Sequence, residues 1–226
     1  MPCSWCPRTS LLAFRSATSW WVTSCVTLLS NPYLPTRIKT LAVQKAAFLD
    51  RDGVINIDLG YLYRWEDFQW MPGALEGMRQ LQALGYALVV VTNQSGIARG
   101  YYTEDDFQSL SNTMRHWLHG HGIDLAGIFY CPHHPQGSEK NYTEVCNCRK
   151  PAPGLIVEAA KQLGLSLQDS VMVGDKVSDM QAAESAGIEQ RYHLTSDEPY
   201  VGCRQVGSLI DVAHALVALD GNTPAS

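Results

Sequence analysis

The chain predicts an α/β fold, a doubly wound and mostly parallel sheet, because apolar runs that end in polar loops alternate with segments carrying helix start and stop signals. The first run, Lys45 to Leu49, reads as a buried strand and ends in Asp50-Arg51-Asp52-Gly53. A helix then runs from Pro72 to a stop at Gly85, proline being tolerated in a first turn and glycine favoured past a last one. Tyr86 to Val91 is a second strand, rich in β-branched residues, that ends in Thr92-Asn93-Gln94-Ser95-Gly96. Thr103, followed by Glu104, Asp105 and Asp106, caps a helix reaching about His119, with the acidic residues favoured at its positive end. Further helices are expected after Pro153 to about Leu163, after Ser178 to Ala186 before Gly187, and from Ser208 to Leu219, the last of them amphipathic. Between the third and fourth helices, Val171-Met172-Val173 is a third strand, ending in Gly174-Asp175-Lys176-Val177-Ser178-Asp179. The 226 residues suffice for one well-buried domain, and no stretch between elements is long enough to insert a lid domain.

Charge divides the chain. Residues 1–45 hold five Lys or Arg and no acidic residue, so the remainder carries twelve basic and twenty-two acidic residues, a net of −10 against a formal −5 for the whole chain. A domain boundary is therefore expected near residue 44, with residues 45–226 as the folded domain. Residues 1–44 are expected to be poorly ordered, either a non-native extension from an upstream start or a transit peptide. Their most apolar part, Trp20 to Leu29, is too polar and too short to span a membrane. The acidic remainder would repel a polyanion, which argues against a nucleic-acid partner. No Gly-x-x-x-x-Gly-Lys-Ser/Thr motif is present, which excludes a nucleotide kinase of the P-loop type.

Two carboxylates two residues apart at a strand end, Asp50 and Asp52, can face one bound group, because residues i and i+2 of an extended segment point the same way. One can attack while the other handles a proton. Taken alone, Asp-x-Asp-Gly also suits a calcium loop or a plain turn. The second strand end supplies small hydrogen-bond donors suited to phosphate, and the third adds Asp175; carboxylates gathered with few cations point to a metal. Arg149-Lys150-Pro151-Ala152-Pro153-Gly154 places two cations, pinned by prolines, where they can neutralise a phosphoryl group.

Cys131-Pro132-His133-His134-Pro135 and Cys146-Asn147-Cys148 flank a loop of about a dozen residues and offer the soft ligands of a closed tetrahedral Zn²⁺ site. The competing reading is a disulfide from Cys131 to Cys146 or Cys148, which no secretory signal supports. Spacing allows either His133 or His134 as the fourth ligand. His133 is preferred because a pair separated by one residue clamps a metal more readily. Cys3, Cys6, Cys25 and Cys203 lie elsewhere, a pattern consistent with a reducing compartment.

In order, Asp-x-Asp-Gly, strand-Thr, Lys-Pro and Gly-Asp-x-x-x-Asp resemble the four motifs of the haloacid dehalogenase superfamily of phosphatases. The resemblance implies a Rossmannoid core in which Asp50 is the nucleophile, Asp52 the acid/base, and Thr92 and Lys150 the holders of the transferring phosphoryl group. It further implies Mg²⁺ bound by Asp50, the Asp52 backbone carbonyl and Asp175, in keeping with a hard site of few oxygen ligands. FLDRDGVIN, DLGY, VVVTNQSGIARG, YCPHHPQG, CNCRKPAPG and VGDKVSDMQAA narrow the likeness to a branch of zinc-loop phosphatases acting on sugar bisphosphates, with a histidinol-phosphate branch as the rival. That branch implies substrate contacts from Asp58, Gly60, Tyr61, Thr92, Asn93, Gln94, Ser95, Arg149, Lys150 and Lys176, zinc on Cys131, His133, Cys146 and Cys148, and a cytoplasmic monomer. It also implies that the zinc loop and the segment from Asp58 to Trp70 wall the site in place of a cap. Val54 departs from the superfamily's usual Thr, keeping the shape and losing a hydroxyl. A non-catalytic, zinc-stabilised binding module is the reading of another class, and the presence of every catalytic carboxylate argues against it.

Other residues have plainer readings. Trp65, Phe68 and Trp70 are expected to pack rather than stack on bases, and His116, His119 and His121 are given no chemistry. Arg99, before Gly100, either reaches a second phosphate or is an exposed loop arginine.

Overall fold

The computed structural model describes residues 44–194 and 200–221, so the expectation for residues 1–44 lies almost wholly outside the described residues. The described residues fall within one compact unit, with no separate cap domain among them. Six strands, β1 (Gln44–Leu49), β2 (Ala87–Asn93), β3 (Leu125–Cys131), β4 (Leu165–Gly174), β5 (Gln190–Leu194) and β6 (Arg204–Val206), form a single sheet in the order β3-β2-β1-β4-β5-β6. Every pairing is parallel. The helices are α1 (Ala74–Ala83), α2 (Ser95–Ala98), α3 (Glu104–Gly120), α4 (Gly154–Leu163), α5 (Val177–Ser185) and α6 (Leu209–Asp220).

Strand periodicity explains the two layers. Ala47 and Leu49 of β1, Leu88 and Val90 of β2, and Val171 and Val173 of β4 face one core, with Met78 and Leu81 of α1, Met114 and Leu118 of α3, and Leu209 and Val212 of α6. The alternate residues Phe48, Val89, Val91 and Met172 face the other core with Ile156 of α4 and Met180 of α5. Central strands buried on both faces read as continuous apolar runs, which is why β1, β2 and the end of β4 were legible. The outer strands were not: edge strand β3 is only partly buried, and β5 and edge strand β6 are short and polar at their starts.

The expected helices form with small shifts. Thr103 and Asp106 exchange capping bonds at the start of α3, and Ser208 caps α6. α1 begins at Ala74 rather than Pro72 because Gly73 sits at φ 79°, outside helical space. α2 is a single turn, too short for periodicity to reveal. Trp65, Phe68 and Trp70 pack against the first core, with Trp70 in turn 4.7 Å from the Trp117 ring. Val54 is buried in the same core, so the substitution at that position contributes packing. His119 pairs with Asp124 on the exposed end of α3, and no helix among the described residues is long and apolar enough to cross a membrane.

Chain direction across the sheet reverses at β1: β2 and β3 lie to one side, β4 to β6 to the other. In open parallel sheets the crevice outside the carboxyl ends at such a point is where ligands bind. Asp50, Thr92 and Asp175 all stand there.

α1 crosses α6 at Gly77, where an added Cβ would meet the Leu209 Cβ at 2.4 Å and its carbonyl carbon at 2.6 Å. Since backbone on both sides must move, Gly77→Ala is expected to lower stability by about 1 to 3 kcal/mol, read from urea unfolding midpoints at constant slope.

Candidate active site

The centre of the site is a buried ammonium. Lys150, 3% exposed, places Nζ 3.0 Å from Asp50 Oδ1 and 2.6 Å from Asp179 Oδ1, and donates to the Val91 carbonyl at 2.8 Å. Burial works against its charge, but Asp179 and Asp50 outweigh that and hold its pKa above the usual lysine value. Its backbone is fixed as well. Asn93 at the end of β2 donates to the Lys150 carbonyl and accepts from the Lys150 N–H, each at 3.0 Å.

Asp50 ends β1, and its Oδ1 accepts the Arg51 N–H at 2.8 Å. Burial pushes its carboxyl up to about 7; Lys150 pulls the other way, and the charges of Asp179, Asp175 and Asp52 add to the rise. Asp175, from the end of β4, is raised mainly by burial, and its Oδ1 is a buried oxygen with no hydrogen-bond partner. Oxygens of Asp50, Asp175 and Asp179 lie within 4.8 Å of one another. Gly53 makes room for this: it sits at φ 90°, and a Cβ there would meet Asp175 Oδ2 at 2.3 Å.

Asp52 is held by five side-chain bonds from three residues. Arg51, 1% exposed, folds back so that Nε and Nη2 reach its Oδ1 at 3.2 and 2.9 Å and Nη2 its Oδ2 at 2.9 Å, over the Phe107 ring at 5.6 Å. Asn56 Nδ2 donates at 2.9 Å and Gln94 Nε2 at 3.1 Å.

A cleft of about 310 Å³ opens beside these groups, lined by Asp52, Asp58, Gly60 and Tyr61 together with Asn93, Gln94, Ser95 and Tyr102. Lys176 also lines it, 3.1 Å from Asp58 Oδ2 and 3.8 Å from Asp175 Oδ2. Asp58 accepts the Gly60 N–H at 3.0 Å; burial alone would raise its pKa, but that bond and Lys176 bring it below the usual value. Tyr61 follows at φ 51°, a left-handed conformation unusual for a tyrosine, and meets Tyr101 edge to face at 4.5 Å. A larger cleft, about 810 Å³ between α1 and α6, is lined by Ala83, Leu84, Ala213 and Val217 and brings no acids and cations together, so the chemistry belongs to the smaller one.

The sequence-derived residues thus divide. Asp50, Asp52, Asp175, Thr92 and Lys150 converge at the strand ends, whereas Arg149 is not among the residues lining the cleft. Its Nη1 donates to the His133 carbonyl at 3.3 Å, and it and Arg99 depress the pKa of His134 after burial has done most of that work. Arg99 Nη2 lies 3.1 Å from His134 Nε2, and the loop is anchored by Ser138 and Glu139 N–H groups on the Ala98 carbonyl. Asp179, which tethers Lys150, and Arg51, which grips Asp52, were not singled out from the sequence. Asp179 closes the Gly-Asp-x-x-x-Asp motif, so a signal was present; Arg51 offered only its position between two acids.

The second cluster gathers Cys131, His133, Cys146 and Cys148, with ligand atoms within 4.8 Å of one another. The sulfurs lie 3.0 to 3.5 Å apart, too far for the roughly 2.05 Å bond of a disulfide. His133 turns Nδ1 to the Cys148 sulfur at 3.3 Å and Nε2 to Glu144 at 3.2 Å, while His134 points away to Arg99 and the Gln136 N–H. Burial pushes the Cys148 thiol up to about 11 and raises Cys131 further, whereas Cys146 is lowered by its neighbours' hydrogen bonds in spite of burial. Thiols so placed become good ligands once a cation compensates the thiolates.

Residues 35–187 match the family of haloacid dehalogenase-like hydrolases. The chain is similar to D-glycero-β-D-manno-heptose-1,7-bisphosphate 7-phosphatase of Photorhabdus laumondii, 49% identical over 154 residues that cover 68% of this chain and 82% of the relative. It is 48% identical to the Escherichia coli K12 enzyme of that name, with 68% and 81% covered. Among solved structures it is similar to the D,D-heptose 1,7-bisphosphate phosphatase of B. bronchiseptica in complex with magnesium and phosphate, with a TM-score of 0.68, 30% identity, and 78% and 99% of the two chains covered.

Removing Asp179 would leave the buried Lys150 ammonium with Asp50 as its only anionic partner. Asp179→Ala is expected to cost about 3 kcal/mol in denaturant unfolding, well above the effect of removing an exposed ion pair such as Arg79 with Glu76.

Proposed function

Because this chain belongs to the haloacid dehalogenase-like hydrolases, we propose that it is a Mg²⁺-dependent phosphatase that removes the 7-phosphate of D-glycero-β-D-manno-heptose 1,7-bisphosphate, in the supply of ADP-heptose for lipopolysaccharide. The observation that carries this reading is the pairing of Asp50 and Asp52 at one strand end with Lys150 and Thr92 beside them, in a chain nearly half identical to phosphatases of that name. Asp50 attacks the phosphorus, the bond to the sugar oxygen breaks, and an aspartyl phosphate forms while Asp52 gives that oxygen a proton. Asp52 then takes a proton from water, which attacks the phosphorus and frees phosphate together with the Asp50 carboxylate. Thr92 and Lys150 hold the phosphoryl oxygens throughout.

Asp50, Asp175 and the Asp52 carbonyl would hold Mg²⁺, and the unpartnered buried oxygen of Asp175 supports that assignment. The cation supplies positive charge against the transferring phosphoryl oxygens. Asp179 is less suited to the metal, since Lys150 engages its Oδ1 and the Lys176 N–H its Oδ2 at 3.1 Å. Cys131, His133, Cys146 and Cys148 fit a structural Zn²⁺ with no open position, which would hold Arg149 and Lys150 in place. Asp58, Gly60, Tyr61, Ser95 and Lys176 would meet the sugar and Arg149 the 1-phosphate, in a cytoplasmic monomer.

Asp50→Asn should abolish Mg²⁺-dependent phosphate release while circular dichroism is unchanged; substantial turnover would refute the nucleophile. Asp52→Asn should be severe on the heptose bisphosphate and milder on p-nitrophenyl phosphate, whose leaving group needs less protonation.

Purified, reduced protein should contain about one Zn²⁺ per chain by elemental analysis. Cys146→Ser should lower both zinc content and melting temperature.

Arg149→Ala should reduce kcat/KM for the heptose bisphosphate roughly ten- to a hundredfold, the worth of one charge-assisted contact, and that for a monophosphate ester much less. Equal losses would place Arg149 on the transferred phosphoryl group instead.

A further inference from the structure

Gln94 is 2% exposed, so most of its surface is already spent inside the protein although it edges the cleft. The orientation of its amide follows from the chemistry of its neighbours. Arg51 Nη2, 3.4 Å from one end, can only donate, and the Tyr102 hydroxyl donates to the same atom at 2.6 Å, so that end is Oε1. The other end, Nε2, then sits 3.1 Å from Asp52 Oδ2 and 2.9 Å from Thr92 Oγ1. Both amide protons are committed to Asp52 and Thr92, leaving none for a sugar hydroxyl.

We propose that Gln94 is a positioning residue for Asp52, aligning the acid/base carboxylate with the sugar oxygen that leaves, rather than a substrate contact. The proposal rests on the acid/base role given to Asp52 above. Of the five side-chain bonds to Asp52, those from Arg51 and Asn56 come from its own loop, whereas that from Gln94 comes from the end of β2 and ties the carboxylate to the frame of the sheet. The same amide fixes Thr92: because Oγ1 accepts from Nε2, the threonine proton is free to be given to a phosphoryl oxygen. Tyr102 holds the arrangement from behind, buried against Gly96, where an added Cβ would lie 2.1 Å from its ring.

The test compares Gln94→Met, which keeps the length of the side chain and drops the amide, and Gln94→Glu, which sets a second acceptor against Asp52, on two esters. With the heptose bisphosphate, Gln94→Met should lower kcat about 10- to 100-fold with KM within about threefold of wild type, since proton transfer by a placed side chain is worth roughly 10²- to 10⁴-fold and alignment is part of that. With p-nitrophenyl phosphate the fall in kcat should stay below about fivefold. Gln94→Glu should be no more active than Gln94→Met on the sugar. A rise in KM with kcat kept would overturn the proposal in favour of a substrate contact, and equal losses on the two esters would overturn the link to Asp52. The Glu variant preserves shape if the Met variant fails to fold. Wild-type protein that released no phosphate from either ester would instead defeat the phosphatase reading, a result separable from any ratio between variants.

Discussion

Four carboxylates, Asp50, Asp52, Asp175 and Asp179, meet at the ends of two neighbouring strands, and the Lys150 ammonium between Asp50 and Asp179 is what makes that crowding tolerable. A buried ammonium without partners would be costly, and so would the two acids without it. The same Nζ bonds a carbonyl of β2, so one atom joins β1, β2 and the start of α5. Arg51 does the corresponding work for Asp52, and half-exposed Lys176 for Asp58 and Asp175. What stays without a partner is the inner oxygen of Asp175, while burial and the neighbouring acids push the Asp50 carboxyl up in spite of Lys150.

Lys150 reaches this position from a loop without regular structure, so other contacts must aim it. Asn93 clips its backbone to the end of β2, Ala98 of α2 accepts two N–H groups from the loop, and Glu104 at the start of α3 accepts the hydroxyls of Tyr130 and Tyr142. The Cys131, His133, Cys146 and Cys148 cluster closes the same loop two residues before Lys150. Among the described residues there is no cap domain, and Asp58, Gly60 and Tyr61, with Lys176, line the cleft itself. Specificity therefore has to be built from side chains on loops that are pinned rather than from a moving domain.

Much of this was legible in the amino-acid sequence, for a local reason. Strands buried on both faces must be continuously apolar, so β1, β2 and β4 announce themselves, and the polar residues that end them are positioned by the strand direction alone. Asp50, Asp52, Thr92 and Asp175 follow from that, and the zinc-type cluster from ligand chemistry and spacing. Edge strands β3 and β6, and the short β5 beside β6, bury less and carry no such signature.

The tertiary structure decided which of these groups touch. Asn93 lines the cleft and also grips the backbone of Lys150, 57 residues away; Gln94 reaches back 42 residues to Asp52; Asp179, in the first turn of α5, is the partner of Lys150. Residue type and strand position set what chemistry can stand at the crevice, because both are local. Pairing among charges is settled by distance and burial across the sheet, which depend on how all six strands are ordered, and no short stretch of sequence contains that.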